Sequence, residues 1–402
     1  DVDTGLRQRL AEAAHDGGDR ARLVVTGQEH RDIQALGVSN NHDFYPQLKK
    51  TIGKLRAAFG FYYFLRRLRH GFRQGPQRGK GRRKRKAGMT NALLASEGAG
   101  PAEAKAAPGR LALLLSRLPA AIAFYGILTI LVLLLLNLPN ATDYVGADND
   151  DVMRLIEVRD LLGGQGWFDL MQYRLGLGDG TLMHWSRLID LPLANLISTF
   201  DLFLPHERAE ALALTVWPLS LSLALLAAMG LAGRRIGGIA VMHVSLGLTA
   251  LFMVTGNRFL PGSIDHHNVQ QVLIATMAAM LVEPARRAPS FFFAGAAAAL
   301  AVAIGAETVP HVAVASMIVA LLWGWHGPMM ARAARAYCLG LVGVVSAAFF
   351  ATIPPSRYGA VTCDNLSLGF YSIIAAGGLG LMAATFLPAR CRFSARLGAL
   401  GL

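Results

Sequence analysis

Apolar runs as long as a bilayer is thick recur from residue 111 to residue 387, and this repetition constrains the chain more than any other feature. They fall at 111–138, 209–232, 236–256, 266–283, 290–306, 308–325, 336–353 and 370–387. A helix needs about 20 predominantly apolar residues to cross the hydrocarbon core. Charged residues make up 16% of the chain, well under the roughly 25% of soluble domains. The pattern predicts an all-α polytopic membrane protein with about eight transmembrane helices in residues 111–402.

The formal charge of +13 is concentrated at one end. Residues 1–110 carry 22 basic and 10 acidic residues, a net +12, which leaves +1 for the rest. Within this tail, residues 52–73 alternate Leu55, Phe59, Tyr62, Tyr63 and Leu65 with Lys54, Arg56, Arg66, Arg67 and Arg69, the pattern of an amphipathic helix lying on a membrane surface. The run RGKGRRKRKAG at 78–88 then stands before the first span, where the positive-inside rule makes the tail cytoplasmic and anionic headgroups attract it. Basic residues among aromatics also suit a nucleic-acid backbone, but the position of this block favours membrane lipid as its partner. A start at Met89, with residues 1–88 as an extension outside the chemistry, is the other reading of the tail. Cys338, Cys363 and Cys391 form no CxxC pair and no even-numbered framework.

With the N-terminus inside, each inner connection is basic: Arg234 and Arg235, Arg286 and Arg287, Arg332 and Arg335, and finally Arg390, Arg392 and Arg396. Three polar segments then face outward: the long loop 139–208, the turn from Asn257 to Asp265, and the loop from Pro354 to Gly369. A loop of such length is usually functional, and we expect this one to be packed. Its segment 152–162 places Val152, Leu155, Ile156 and Val158 on one face that suits a membrane surface.

Candidate chemistry collects in these outer segments. Asp148, Asp150 and Asp151 follow the first span closely, and carboxylates so near one another suit a hard divalent cation, Mg²⁺ or Mn²⁺, with the phosphate of a substrate. In GNRFLPGSIDHHNVQQ (256–271), the turn at Pro261 and Gly262 aims Asp265 toward the bundle, beside His266 and His267. Arg258 is placed to clamp a phosphate. The stretch GLGDGTLMHWSRLIDLP (176–192) offers Asp179, His184, Trp185, Arg187 and Asp190. Of these His184 and Arg187 suit a sugar or phosphate pocket, and Trp185 suits either that pocket or the interface. Glu307, His311 and Asp364 are isolated polar residues for which structural roles are expected.

Together these motifs resemble the GT-C membrane glycosyltransferases, and within them the catalytic subunit of single-subunit archaeal and bacterial oligosaccharyltransferases. The likeness rests on Asn149-Asp150-Asp151, on the stretch that follows to Trp185, and on Arg258 with Gly262-Ser263-Ile264-Asp265-His266-His267, and it covers residues 110–290. It implies a divalent cation between Asp150, Asp265 and His267 and a polyprenyl-phosphate-linked sugar as donor. It also implies that Asp150 orients or deprotonates the acceptor while Arg258 or His266 holds the phosphate. The family's W-W-D motif and the soluble C-terminal domain that carries it do not occur in these residues, as expected of either a shorter relative with a different acceptor or an incomplete chain, and WGWHG (323–327) falls on the predicted inner side. The acceptor is therefore left open. The competing class is a polytopic transporter or flippase, which would place charged or Gly/Pro-broken segments near the bilayer midplane in repeated halves. No clear repeat of that kind is present.

Overall fold

The computed structural model describes residues 109–401 apart from 141–144, 147, 177, 179, 389 and 390. The basic tail with its amphipathic segment 52–73, as well as Asp179 and Arg390, lies outside the described residues. What is described is a bundle of helices. After α1 (Arg110–Leu115) come α2 (Leu118–Asn137), α3 (Asn149–Leu162), a two-stranded ribbon and α4 (Arg187–Asp201). The bundle continues with α5 (His206–Thr255), α6 (His267–Leu281), α7 (Ala288–Ile304), α8 (Val309–His326), α9 (Pro328–Thr352), α10 (Leu368–Ala384) and α11 (Phe393–Gly398). Among the described residues four helices are long and apolar enough to cross a membrane: Leu118–Asn137, His206–Thr255, Ala306–His326 and Pro328–Thr352. Ala288–Ile304 and Leu368–Ala384 are apolar but shorter.

The 50-residue α5 is not one rod. Gly237 (φ −146°, ψ 20°) and Gly238 (φ 73°, ψ −153°) leave the helical region, and the latter conformation is one that L side chains rarely adopt. The chain reverses there, so that the Ser245 hydroxyl donates to the Met229 carbonyl at 2.8 Å and a Cβ on Gly230 would come 2.9 Å from the Leu246 side chain. The two apolar runs at 209–232 and 236–256 thus become antiparallel arms. Beside the reversal, Arg234 donates to the Ser116 carbonyl at 2.7 Å, and Arg235 donates to the Ala279 carbonyl at 2.6 Å and pairs with Glu283 at 2.8 Å. These contacts gather the start of α2, the α5 reversal and the end of α6 at one end of the bundle. The turn 256–266 and the Gly305–Thr308 connection between α7 and α8 lie at the other.

Helices α7 and α9 pack backbone to backbone. A Cβ on Gly295 would stand 2.0 Å from the Tyr337 carbonyl oxygen, and one on Gly340 would stand 2.1 Å from that of Phe292. Small residues flank both, with Ala294, Ala297, Ala298, Ala301, Ala333 and Ala334 buried. Where lipid offers no hydrophobic drive between helices, such close approach supplies the dispersion contacts that hold them together.

The described residues of the segment 139–208 pack against the bundle. Leu155 and Val158 of α3 meet Ile189, Leu193 and Ile197 of α4, Leu214 of α5 and Ile264. The Trp167 indole N–H donates to the Ala351 carbonyl at 2.6 Å. A short antiparallel ribbon pairs Met171 with Leu182 and Gln172 with Thr181. This corrects the expectation that Val152, Leu155, Ile156 and Val158 form one membrane-facing surface. Leu155 and Val158 are interior, Val152 is exposed, and the inner face of α3 also carries Arg154 and Glu157, both fully buried.

Those side chains are paired within the outer segment. Arg154 reaches Glu157 at 3.1 Å and Asp190 at 2.9 Å, and Arg187 reaches Asp190 at 3.1 Å and the Glu157 carbonyl at 3.1 Å. Burial pushes the Glu157 carboxyl up, to about 8, against the pull of Arg154. Removing one partner from such a network strands its neighbours.

The α7–α9 contact gives a direct stability test. Gly295→Ala and Gly340→Ala should each lower the unfolding free energy of the detergent-purified protein by about 1–3 kcal/mol through overpacking. Gly343→Ala, on the same helix but with open space around its Cβ position, should leave the thermal midpoint unchanged or raise it.

Candidate functional site

The site is assembled where the turn 256–266 meets α3. Asp148 caps α3, its side chain accepting the Asp150 backbone N–H at 3.3 Å. One residue further, Asp151 turns inward, 4% exposed, and its Oδ1 accepts the N–H groups of Ile264 (2.7 Å) and Asp265 (2.8 Å). The Gly146 N–H donates to the Gly262 carbonyl at 3.0 Å, and a Cβ on Gly146 would collide with the Asp151 carboxylate. Gly262, at φ 89°, makes the tight turn the sequence calls for and donates its N–H to the Leu214 carbonyl at 2.9 Å. Asn268 fixes the far side of the turn, donating to the Ser263 carbonyl at 2.8 Å.

So held, Asp265 is buried. Its Oδ1 bonds His266 Nδ1, and His266 Nε2 lies 2.9 Å from Glu307 Oε1. His266 is a brace between two carboxylates, with both ring nitrogens engaged. Asp265 Oδ2 has no hydrogen-bond donor among the described residues, although it is buried. Around it stand His267 Nε2 at 3.4 Å and Arg258 Nη1 at 3.8 Å, and Arg258 reaches Asp148 at 3.6 Å. Burial pushes the Asp265 carboxyl up, but the His266 hydrogen bond and the pull of the two histidines outweigh it and bring it down to about 2. Asp265 is therefore ionised at neutral pH. For Asp151 the balance runs the other way: burial raises it above its ordinary value despite the two backbone N–H donors.

Three cavities converge on this cluster, and His267 lines all of them. A cleft of about 710 Å³ carries Leu225, Leu248, Phe252, Ile274 and Ala278 along its length and Arg258, Gln270 and Glu307 at its polar end. A polar cavity of about 690 Å³ is lined by Asp148, Asp151, Arg258, Asp265 and Asn268. The third, also about 690 Å³, is lined by Asp150, His184, Trp185, His266, Glu307 and Asp364. Trp185 is itself buried, with the Arg154 guanidinium 4.4 Å above its ring and His266 at 5.7 Å between ring centroids.

The ligand-type atoms that lie within 4.8 Å of one another are those of Asp265, His266 and His267. Asp150 does not belong to that group; it faces the third cavity instead. Successive residues on a helix point about 100° apart, so when Asp151 turns toward the Asp265 turn, Asp150 is carried aside. Arg187 is also placed differently from expectation. It is 1% exposed and spends its donors on Asp190, the Glu157 carbonyl, Gln165 (2.7 Å) and the Asp169 carbonyl (2.7 Å), so it braces the outer segment and lines none of the three cavities. His184, Trp185, Arg258, His266 and His267 all lie on the cavities. Glu307, expected to be structural, belongs to the cluster through His266. The neighbouring Gly305 lets the Gln270 amide and the Glu307 carboxylate approach closely, each within 2.5 Å of where a Cβ would stand.

Compared with protein-family models, curated proteins and solved structures, the chain matches none.

The Asp151 contacts predict opposite outcomes for two substitutions. Asp151→Ala leaves two buried N–H groups without an acceptor and should cost about 1–3 kcal/mol. Asp151→Asn keeps an acceptor oxygen and removes a charge that burial disfavours, so its stability near neutral pH should equal or exceed that of the unsubstituted protein. Because folding raises this carboxyl, the folded state binds the proton more tightly. The unsubstituted protein therefore loses stability relative to Asp151→Asn as pH rises from about 3.8 through the folded value. Thermal unfolding at acidic and neutral pH measures both effects.

Proposed function

We propose that this protein is a metal-dependent membrane glycosyltransferase that takes its sugar from a polyprenyl-phosphate-linked donor on the extracytoplasmic side of the cytoplasmic membrane. The observation that carries the reading is that His267, Glu307 and Arg258 line a largely apolar cleft, with Asp265 and His266 in contact with them just beyond it. A lipid-borne donor needs such a path: apolar walls for the prenyl chain and charge at the end for its phosphate. In this reading the eight apolar segments cross the bilayer and the arginines at 234–235, 286–287 and 332–335 face the cytoplasm.

The donor set fits a divalent cation. Asp265 Oδ2 is ionised, buried and without a donor, and His267 Nε2 is adjacent, so these two atoms would hold the metal, with water and the donor phosphate completing its shell. Bound there, the metal would neutralise charge on the departing phosphate. Arg258 binds the same phosphate from the other side. Asp150 faces the cavity it shares with His184 and Trp185 and takes the proton of the acceptor hydroxyl or amide. The bond from the anomeric carbon to the phosphate oxygen breaks, and one from that carbon to the acceptor forms. His266, tied to both Asp265 and Glu307, fixes the position of the ligands.

Reconstituted protein should consume a polyprenyl-phosphate-linked sugar, and EDTA should abolish this until Mg²⁺ or Mn²⁺ is restored. Asp265→Asn and His267→Ala should each reduce transfer by at least about a hundredfold while the protein inserts and purifies normally. Asp150→Asn should lower turnover more than it changes the donor KM. Full turnover by the Asp265 variant, or in EDTA, would overturn the proposal. Translocation of the lipid without its consumption would favour the transporter or flippase.

A further inference from the structure

At the end of the bundle opposite Asp265 lies a cavity of about 740 Å³, formed by the connection between α6 and α7 and the one between α8 and α9. The helix α7, 17 residues long, separates it from the Glu307 connection by about 25 Å. Its charged lining is entirely basic: Arg286, Arg287 and Arg332, with His326 among them. Arg286 Nη2 and His326 Nε2 stand 3.0 Å apart, and since a guanidinium has no acceptor, the imidazole must accept and is therefore neutral in that bond. Arg286 has a left-handed backbone, φ 52°, unique among the described non-glycine residues. Arg287 and Arg332 are exposed and have no acidic partner among the described residues. Glu283, the nearby acid in sequence, pairs with Arg235 at 2.8 Å and accepts the Ala285 N–H at 3.2 Å, and it pairs with neither Arg287 nor Arg332.

The backbone contributes the same sign. Ala288 and Pro289 at the start of α7 and Met329 at the start of α9 line the cavity. Neither helix has a side-chain cap or an acidic residue in its first turn, where such groups ordinarily occupy the free N–H groups. Positive-inside topology asks for arginines in these connections. It does not ask that they surround a cavity beneath two helix ends without side-chain caps, with the local carboxylate paired to Arg235 instead.

We propose that this cavity is a binding site for a phosphoryl group, of the kind carried by an anionic phospholipid headgroup or by free phosphate. The inference does not rest on the glycosyltransferase reading, because none of its residues belongs to the Asp265 cluster. A planar guanidinium pairs with phosphate oxygens in two parallel hydrogen bonds, and Arg287 and Arg332 are the two with donors to spare.

The test uses the full chain purified in detergent. Native mass spectrometry would count bound phosphatidylglycerol against phosphatidylcholine, and thermal shift with inorganic phosphate would run alongside. Phosphatidylglycerol should bind in preference, and Arg287→Gln with Arg332→Gln should weaken it about tenfold. The same loss of charge at Arg110→Gln with Arg392→Gln, both exposed and away from the cavity, should leave binding unchanged. Stabilisation by phosphate that vanishes in the Arg287/Arg332 variant, without lipid preference, supports the site with free phosphate as its source. Binding of neither probe, or equal loss in the two double variants, would overturn the proposal.

Discussion

Two hydrogen bonds from the backbone of Ile264 and Asp265 to one carboxylate oxygen of Asp151 join the outer segment to the bundle at the place where the polar cluster forms. Everything near the site depends on this clamp. It sets the direction of Asp265, and thereby the positions of His266, its bond to Glu307 and the nearness of His267. It also explains why α3 accepts a buried acid at its first turn, where the helix dipole favours negative charge. Behind α3 the Arg154, Glu157, Arg187 and Asp190 network forms the polar interior of the outer segment, and through Trp185 it backs the same His266 ring.

The two ends of the bundle carry opposite chemistry. One collects carboxylates and imidazoles at the end of an apolar cleft; the other collects arginines beneath two helix N-termini. A lipid-facing protein obtains little cohesion from hydrophobicity alone, so its middle is joined by close backbone contact at Gly295 and Gly340 while its polar groups are left to the ends. The cluster is consistent with a reaction at a lipid-borne phosphate, and the arginine cavity with an anionic group at the other face.

Much of the fold is legible in the sequence because hydropathy is a direct statement about solvent. Each apolar run is helical, including the two that meet at the Gly237–Gly238 reversal. Asp265, His266 and His267 are legible because three adjacent ligand-type residues after a Pro-Gly turn are unusual at the end of an apolar run. What hydropathy does not carry is direction around a helix. Asp150 and Asp151 are equivalent in the sequence, and which one faces the Asp265 turn follows from tertiary contacts at Gly146 and Ile264. Glu307 escapes for another reason: it lies 41 residues from His266, flanked by apolar helices, and only the meeting of the α7–α8 connection with the turn reveals their bond. Arg187 illustrates the converse, a cation beside His184 and Trp185 whose donors are consumed by partners far away in the chain.

In the proposed reaction Asp265 and His267 hold a divalent cation. Pulsed electron paramagnetic resonance of Mn²⁺ bound to the purified protein tests it without need of a substrate. One Mn²⁺ should bind with a nitrogen coupling from an imidazole, the coupling lost in His267→Ala and the ion lost in Asp265→Ala. Mn²⁺ that fails to bind, or a bound ion whose nitrogen coupling persists in His267→Ala, would contradict it.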